Sequence, residues 1–182
     1  MTHPDPAQTN PRRPRDLFYS LAILLIPIGA ILLLFQYLGG GDDVVVVDPA
    51  PKLAAARQAG LEVAKPTGLS KQWRPTSAVL RERGDSTTLR IGYVSPSGGY
   101  AQLIETNGDP AKLLSRELSG GAGADRGAGP EIVKINGAEW RKHQGRGEEH
   151  ALVRVEKERA IVVLGRAPLK ELRVLAASLR IR

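Results

Sequence analysis

The sequence predicts an α+β fold: one N-terminal transmembrane helix followed by one extracytoplasmic domain. Residues 17–38 form an apolar run of 22 residues that contains no charged side chain. Beyond residue 60, apolar and polar residues alternate with the period of strands, and hairpin signals between neighbouring strands indicate antiparallel pairing. Amphipathic helical patterns occur within and after this set of strands. We therefore expect an antiparallel sheet of about seven strands with two packed helices.

The apolar run sets the predicted domain organisation. As an α-helix, residues 17–38 would extend for about 33 Å, enough to cross a hydrocarbon core of about 30 Å. Arg12, Arg13 and Arg15 precede the run, and basic flanking residues favour the cytoplasmic side. We expect a disordered cytoplasmic tail over residues 1–16, a linker over 39–51 and an outer domain over 52–182. The localisation would be the plasma membrane, single-pass, with the N-terminus inside.

A cleaved signal peptide is the alternative interpretation of this run. The apolar core of a signal peptide is usually about 7–15 residues long and precedes a small-residue cleavage site. The run here is longer, and Leu38-Gly39-Gly40 lacks the A-x-A pattern. We therefore favour a retained anchor.

Seven segments of the outer domain have strand patterns. Asn136-Gly137, between two of them, is the strongest short signal for a two-residue hairpin turn. Residues 44–47 are either extended linker or an edge strand, and residues 52–59 are a short helix candidate closed by Gly60. Strands are expected over residues 73–82, 88–94, 100–106, 131–135, 138–143, 151–155 and 160–164.

Two longer amphipathic segments predict the packed helices. Asp109 is a suitable N-cap and Pro110 a suitable first residue for a helix that ends at residue 118. A second helix is expected over residues 168–179, where leucines recur on one stripe. We expect these helices to cover one face of the sheet.

Composition limits the possible chemistry. The chain has no cysteine, which excludes disulfides, thiolate metal sites and a cysteine nucleophile. Residues 44–182 contain 23 Lys and Arg against 15 Asp and Glu, a formal charge of +8. Such a surface would attract anionic lipid head groups, envelope polymers or an acidic partner, unless the charges are simply dispersed in solvent. The predicted topology argues against a nucleic-acid partner.

No pattern predicts a catalytic residue, a cofactor or a metal, so we expect a protein that is not an enzyme. The glycine-rich residues 120–129 follow a helix and lead to a strand, which is the wrong context for a phosphate loop. The cluster His143, Glu148, Glu149 and His150 lacks standard metal-ligand spacing. A hydrolase that uses His150 with Glu148 or Glu149 is the third functional hypothesis, after the two given below.

Three aromatic residues are possible ligand-facing residues: Tyr93, Tyr100 and Trp140. They could line the concave face of a curved antiparallel sheet, although aromatic residues at alternating strand positions are more often part of the core.

An ordered set of motifs resembles a known family. The motifs are PRRPRDLFYSLAILLIP, VVVDPAP, GLSKQWRPTSA, LRIGYVSPSGGYAQLIETN, INGAEW, EEHALVR and LKELRVLAASL. They are similar to an actinobacterial family of single-span membrane proteins known as domain of unknown function 4245. The resemblance implies an anchored outer domain without catalytic residues. A weaker, fold-level similarity extends to outer domains of some anti-sigma factors and to half-barrel lipoprotein-binding domains.

Our leading hypothesis is a membrane-anchored extracytoplasmic module, without enzymatic activity, that binds an envelope protein. The alternative is a domain that binds a lipid or a small apolar ligand at the outer face of the membrane, through the three aromatic residues.

Overall fold

The computed structural model describes residues 14–38, 45–118, 131–157 and 159–181. The chain divides into two compact units, Met1–Asp43 and Val44–Arg182. In the first unit, helix α1 (Pro14–Leu38) contains the apolar run. A search of the described residues for a helix long and apolar enough to cross a membrane finds none.

The second unit contains a seven-stranded antiparallel sheet, as predicted, in the order β2-β3-β4-β8-β7-β6-β5. β1 and β9, which were not predicted, form a separate two-stranded sheet. The elements in chain order are α2 (Ala50–Gln58), β1 (Ala64–Pro66), β2 (Arg74–Arg83), β3 (Ser86–Val94), β4 (Tyr100–Thr106), α3 (Pro110–Glu117), β5 (Glu131–Ile135), β6 (Ala138–Gln144), β7 (His150–Glu156), β8 (Arg159–Gly165), α4 (Leu169–Ser178) and β9 (Leu179–Ile181).

Local turn chemistry explains the hairpins, and one long-range pairing joins them. Asn136 and Gly137 have φ of 50° and 77°, the two positive values that a type I′ turn requires. The central contact between the halves of the sheet is the β4–β8 pair, in which Leu103 lies opposite Val163. All residues of β8 are buried, as expected for a near-continuous apolar segment with both faces covered.

One face of the sheet, here called the inner face, packs against α2 and α4. A row of directly opposed residues, Ile91, Leu103, Val163 and Leu152, runs across four strands of this face. Leu53 of α2 and Leu172 of α4, among others, complete the same buried cluster. This cluster is the main core of the unit.

The other face, here called the outer face, packs against α3. The Asp109 side chain caps α3 by accepting hydrogen bonds from the N–H groups of Ala111 and Lys112, at 2.9 and 3.4 Å. Leu113 of α3 is buried in a second cluster with Ile104 and Val162. Helices therefore cover both faces, and the prediction that they cover only one was wrong. The central strands are apolar on both sides, so a single layer of helices would leave one side exposed to water.

The segment before α2 is extended and does not form a strand. The N–H of Val47 donates to the carbonyl oxygen of Pro75 at 2.8 Å, beside the edge strand β2. Val45 and Val46 are exposed. The glycine-rich residues 120–129 lie outside the described part of the chain.

Candidate functional site

The three predicted ligand-facing aromatic residues do not line one face. Tyr93 and Trp140 lie on the inner face, where they are 4% and 1% exposed within the main core. Tyr100 is 42% exposed and belongs to the outer face, because it is the neighbour of Ala101, which lies opposite Tyr93. Opposed residues share a face and adjacent residues do not. The prediction that these three side chains line one concave face was therefore wrong. Tyr93 and Trp140 are core residues, and Tyr100 is a surface residue.

Tyr100 belongs to a part of the outer face that leaves several side chains exposed or only partly buried. We call this surface the Tyr100 face and define it by Ser77, Val79, Arg81, Arg90, Tyr100 and Gln102. Val79 is 42% exposed, as is Tyr100. Burial, and after it the Glu149 carboxylate, raises the pKa of the Tyr100 hydroxyl above its ordinary value of 10.0. The hydroxyl therefore keeps its proton near neutral pH and can donate a hydrogen bond.

Arg90 fixes the border between the Tyr100 face and α3. Its Nη1 and Nη2 donate to the two carboxylate oxygens of Glu117, at 3.2 and 2.5 Å. Nη1 also lies 3.4 Å from Oε1 of Gln102. A paired guanidinium and carboxylate of this kind hold both side chains in one geometry.

Gly92 lets neighbouring side chains of the Tyr100 face approach its backbone closely. A Cβ at Gly92 would lie 2.5 Å from Oγ of Ser77 and 3.6 Å from Cε2 of Tyr100. The missing side chain therefore leaves room for the Tyr100 ring to lie beside Ser77.

A buried carboxylate, not predicted from the sequence, lies on the inner face. Glu105 is 0% exposed, and its Oε2 accepts a hydrogen bond from the N–H of Ala64 at 2.7 Å. Its Oε1 has no hydrogen-bond partner among the described residues. Burial raises the pKa of Glu105 to about 7, against the opposing effects of the Ala64 N–H, Arg159 and Arg57.

Arg159 also binds the segment between α2 and β1, close to Ala64. Its Nη1 donates to the carbonyl oxygen of Glu62 at 2.8 Å, and its Nη2 to Oε2 of Glu156 at 2.6 Å. Glu105 and Arg159 thus hold residues 62 and 64 to the inner face. This arrangement is a structural clamp made from buried charged groups.

A cavity of about 380 Å³ lies between the inner face and α4–β9. Trp140, Ile161 and Ala138 contribute to its sheet side, and Ala176 and Leu179 to its helix side. A second recess of about 190 Å³ is lined by Arg57, Lys65, Thr67 and Arg180. Arg180 borders both.

A family model described as "Protein of unknown function (DUF4245)" matches residues 10–179. The chain belongs to the DUF4245 family. This confirms the DUF4245 membership predicted from the motifs, while the actinobacterial and single-span parts of that prediction stay predictions. A search of curated proteins finds no match.

Two solved structures resemble part of this DUF4245 chain. One is the crystal structure of MucB in complex with MucA(peri), with a TM-score of 0.36 and 13% identity over 66% of this chain and 36% of the matched one. The other is the Pseudomonas aeruginosa MucA/MucB complex, with a TM-score of 0.36 and 13% identity over 66% of this chain and 35% of the matched one. The DUF4245 chain thus spans about a third of the length of the matched chains.

The histidine and glutamate cluster of the DUF4245 chain lies at the hairpin between β6 and β7. Gln144 lies opposite His150, and His143 opposite Ala151. Within the described ranges, no group of three or more His, Asp or Glu residues could hold a metal ion. The hydrolase hypothesis for His150 remains a prediction.

Proposed function

We propose that this DUF4245 protein is a membrane-anchored, extracytoplasmic interaction module without enzymatic activity, and that it binds an envelope protein through the Tyr100 face. The observation that supports this proposal is the 42% exposure of both Tyr100 and Val79 on the outer face. Tyrosine combines a large apolar ring with a polar end, and it is among the residues that contribute most to protein interfaces.

The exposed cation of the Tyr100 face favours a partner with acidic groups around an apolar centre. This cation is Arg81 on β2, whereas Arg90 is already paired with Glu117. Charges at the rim of an interface guide association and orientation, while the apolar centre supplies most of the affinity. The formal charge of +8 over residues 44–182 acts in the same direction.

The first test places photoreactive amino acids on two sides of the domain in intact cells. A photoreactive residue at position 79 should yield a specific adduct with an envelope protein. One at position 174, where Val174 of α4 is 51% exposed, should not. Tyr100→Ala should reduce the position-79 adduct about tenfold or more, as expected for loss of an interface hot spot. Equal adducts from both positions, or an adduct that persists in Tyr100→Ala, would contradict the proposal.

The proposed anchor is residues 17–38, with residues 1–16 in the cytoplasm and the folded unit outside. The support is the charge-free run of 22 residues and the preceding Arg12, Arg13 and Arg15. This part of the proposal stands on the sequence alone, since the described helices include none that meets the requirements for a span.

Alkaline extraction of membranes tests the anchor. We expect the full chain to remain in the membrane pellet after carbonate treatment. The double variant Leu24→Arg/Leu25→Arg should be released, because each arginine at the centre of a span costs about 2.5–3.5 kcal/mol. Protease added to intact spheroplasts should digest residues 45–182. Release of the unaltered chain by carbonate, or protection of those residues, would refute the anchored topology.

A further inference from the structure

We infer that the cavity under α4 and the recess beside it form one binding site for an anionic amphiphile with a single apolar chain. The apolar chain would occupy the cavity beside Trp140, and the anionic group would lie in the recess bordered by Arg57, Lys65 and Arg180. This site is on the inner-face side of the domain, separate from the Tyr100 face.

The size and lining of the cavity fit one apolar chain. Its volume of about 380 Å³ lies in the lower part of the range of about 300–1,000 Å³ for small-ligand pockets. Ala138 and Leu179 supply partly exposed apolar surface on opposite sides, and Trp140 and Ile161, each 1% exposed, also line the cavity. Arg154 also lines the cavity and is ion-paired with Glu156, a carboxylate that it shares with Arg159.

One hydrogen bond joins the sheet side and the helix side of the cavity. Nδ2 of Asn136, in the β5–β6 turn, donates to the carbonyl oxygen of Ala177 at 2.6 Å. This hydrogen bond links the β5–β6 turn to the end of α4. A largely preformed site binds a chain at a lower entropic cost than one that must first be ordered.

The recess provides the cationic groups that would bind the anionic head of the ligand. Its four lining residues are Arg57, Lys65, Thr67 and Arg180. In the part of the chain that the structure describes, none of its three cationic residues forms an ion pair with a carboxylate. Cations brought together in this way repel one another, and a carboxylate or phosphate placed between them would relieve that repulsion.

Arg180 connects the two compartments. It lines both, and its Nη1 donates to the carbonyl oxygens of Ala177 and Leu179, at 2.8 and 3.0 Å. These two bonds hold the guanidinium at the boundary between the apolar cavity and the cationic recess. A single molecule with an anionic head and an apolar chain therefore satisfies both compartments.

At the Leu179 wall of the cavity, the backbone offers a peptide few free hydrogen-bonding groups. A bound peptide strand gains much of its affinity from main-chain hydrogen bonds to a free strand edge. At the cavity wall, the N–H of Leu179 already donates to Ala176, and its carbonyl already accepts from Arg180. Pro66, opposite Leu179, has no N–H to offer. An apolar chain needs none of these partners.

Quenching of Trp140 fluorescence tests the site in the full chain held in phosphatidylcholine nanodiscs. The chain has two tryptophans, so Trp73→Phe leaves Trp140 as the reporter. A nitroxide-labelled fatty acid should quench Trp140 saturably, and its uncharged methyl ester should do so only at concentrations about tenfold higher or more. Arg180→Gln should weaken quenching by the acid about tenfold. The control Arg173→Gln, which changes an exposed side chain of α4, should leave it unchanged.

Competition identifies the head group. Unlabelled myristate or myristoyl-lysophosphatidylglycerol should each displace the quencher, and the more effective competitor distinguishes a carboxylate from a phosphate ligand. Dodecyl maltoside, which is uncharged, should not compete.

A second measurement avoids the tryptophan substitution. A diazirine-labelled fatty acid should photolabel peptides from β5–β6 and α4–β9 in the unaltered full chain. Linear quenching that is the same for acid and ester and for every variant, or labelling that avoids these peptides, would overturn the inference. Displacement by an acidic peptide of alternating Glu and Leu, but by neither lipid, would also overturn it and would identify a peptide groove.

Discussion

Glu105→Gln is expected to stabilise the protein by about 3 kcal/mol above pH 7 and to have little effect below pH 4.5. Glu105 is fully buried, and its pKa is raised from 4.5 to about 7, first because burial penalises the charged carboxylate. Glutamine keeps the oxygen that accepts from the Ala64 N–H and carries no charge at any pH. Urea titrations of the full chain between pH 4 and pH 8, followed by tryptophan fluorescence, measure the difference.

The sign follows from proton binding. Between pH 4.5 and about 7, Glu105 in the folded protein keeps its proton while the unfolded chain has lost it. The folded state then binds more protons, so the free energy of unfolding falls as pH rises through this range. Above about pH 7, Glu105 is ionised in both the folded and the unfolded state, and the free energy of unfolding falls no further from this cause. The difference between variant and wild type should therefore grow from pH 4.5 to about 7 and then level off.

The control for this experiment is Glu82→Gln, which removes an exposed carboxylate from β2. Its stability should follow that of the wild type at every pH, because exposed single charges contribute little. A Glu105→Gln curve parallel to that of the wild type would mean that the buried carboxylate is ionised normally in the folded protein. The clamp described above would then hold residues 62 and 64 without a penalty from buried charge.

The sequence allowed prediction of features that depend on local chemistry. Asn136-Gly137 predicted its hairpin because few residue pairs adopt two successive positive φ angles. Asp109 and Pro110 predicted the start of α3 because capping depends on residues adjacent to the helix end. The seven long strands were predicted from strand patterns and from the turn residues between them.

Features that depend on register or on distant contacts were missed. Tyr93 and Tyr100 were assigned to one face, but the turn between them sets Tyr93 opposite Ala101, and this places the two rings on opposite faces. Strands β1 and β9 have three residues each, too few for a periodic pattern. Glu105 shares the alternation of Ala101 and Leu103, a signal of burial, but its partner Ala64 lies 41 residues away along the chain.

Gly165→Ala is expected to destabilise the protein by about 3 kcal/mol, the upper part of the usual range for overpacking. Gly165 lies opposite Ala101 of β4 and His150 of β7, where three strands meet. A Cβ at Gly165 would overlap the carbonyl oxygen of Tyr100 and lie 2.8 Å from Cα of Ala101. These atoms belong to the backbone, so relief requires β4 and β8 to separate. The midpoint of urea unfolding measures the loss.

Gly68→Ala is the matched control for this effect. Gly68 also has a positive φ, 74°, but a Cβ there would have no neighbour within 4 Å. Only the preference of glycine for a positive φ is then lost, and this costs about 1 kcal/mol of stability.

Because the carbonyl of Tyr100 also accepts from the N–H of Ala167 at 2.9 Å, separation of β4 and β8 at Gly165 should move Tyr100 itself. Gly165→Ala should therefore weaken the position-79 adduct in cells under conditions where it remains folded, whereas Gly68→Ala should not. Equal destabilisation by both variants would show that φ, and not the close approach of the strands, requires glycine at position 165.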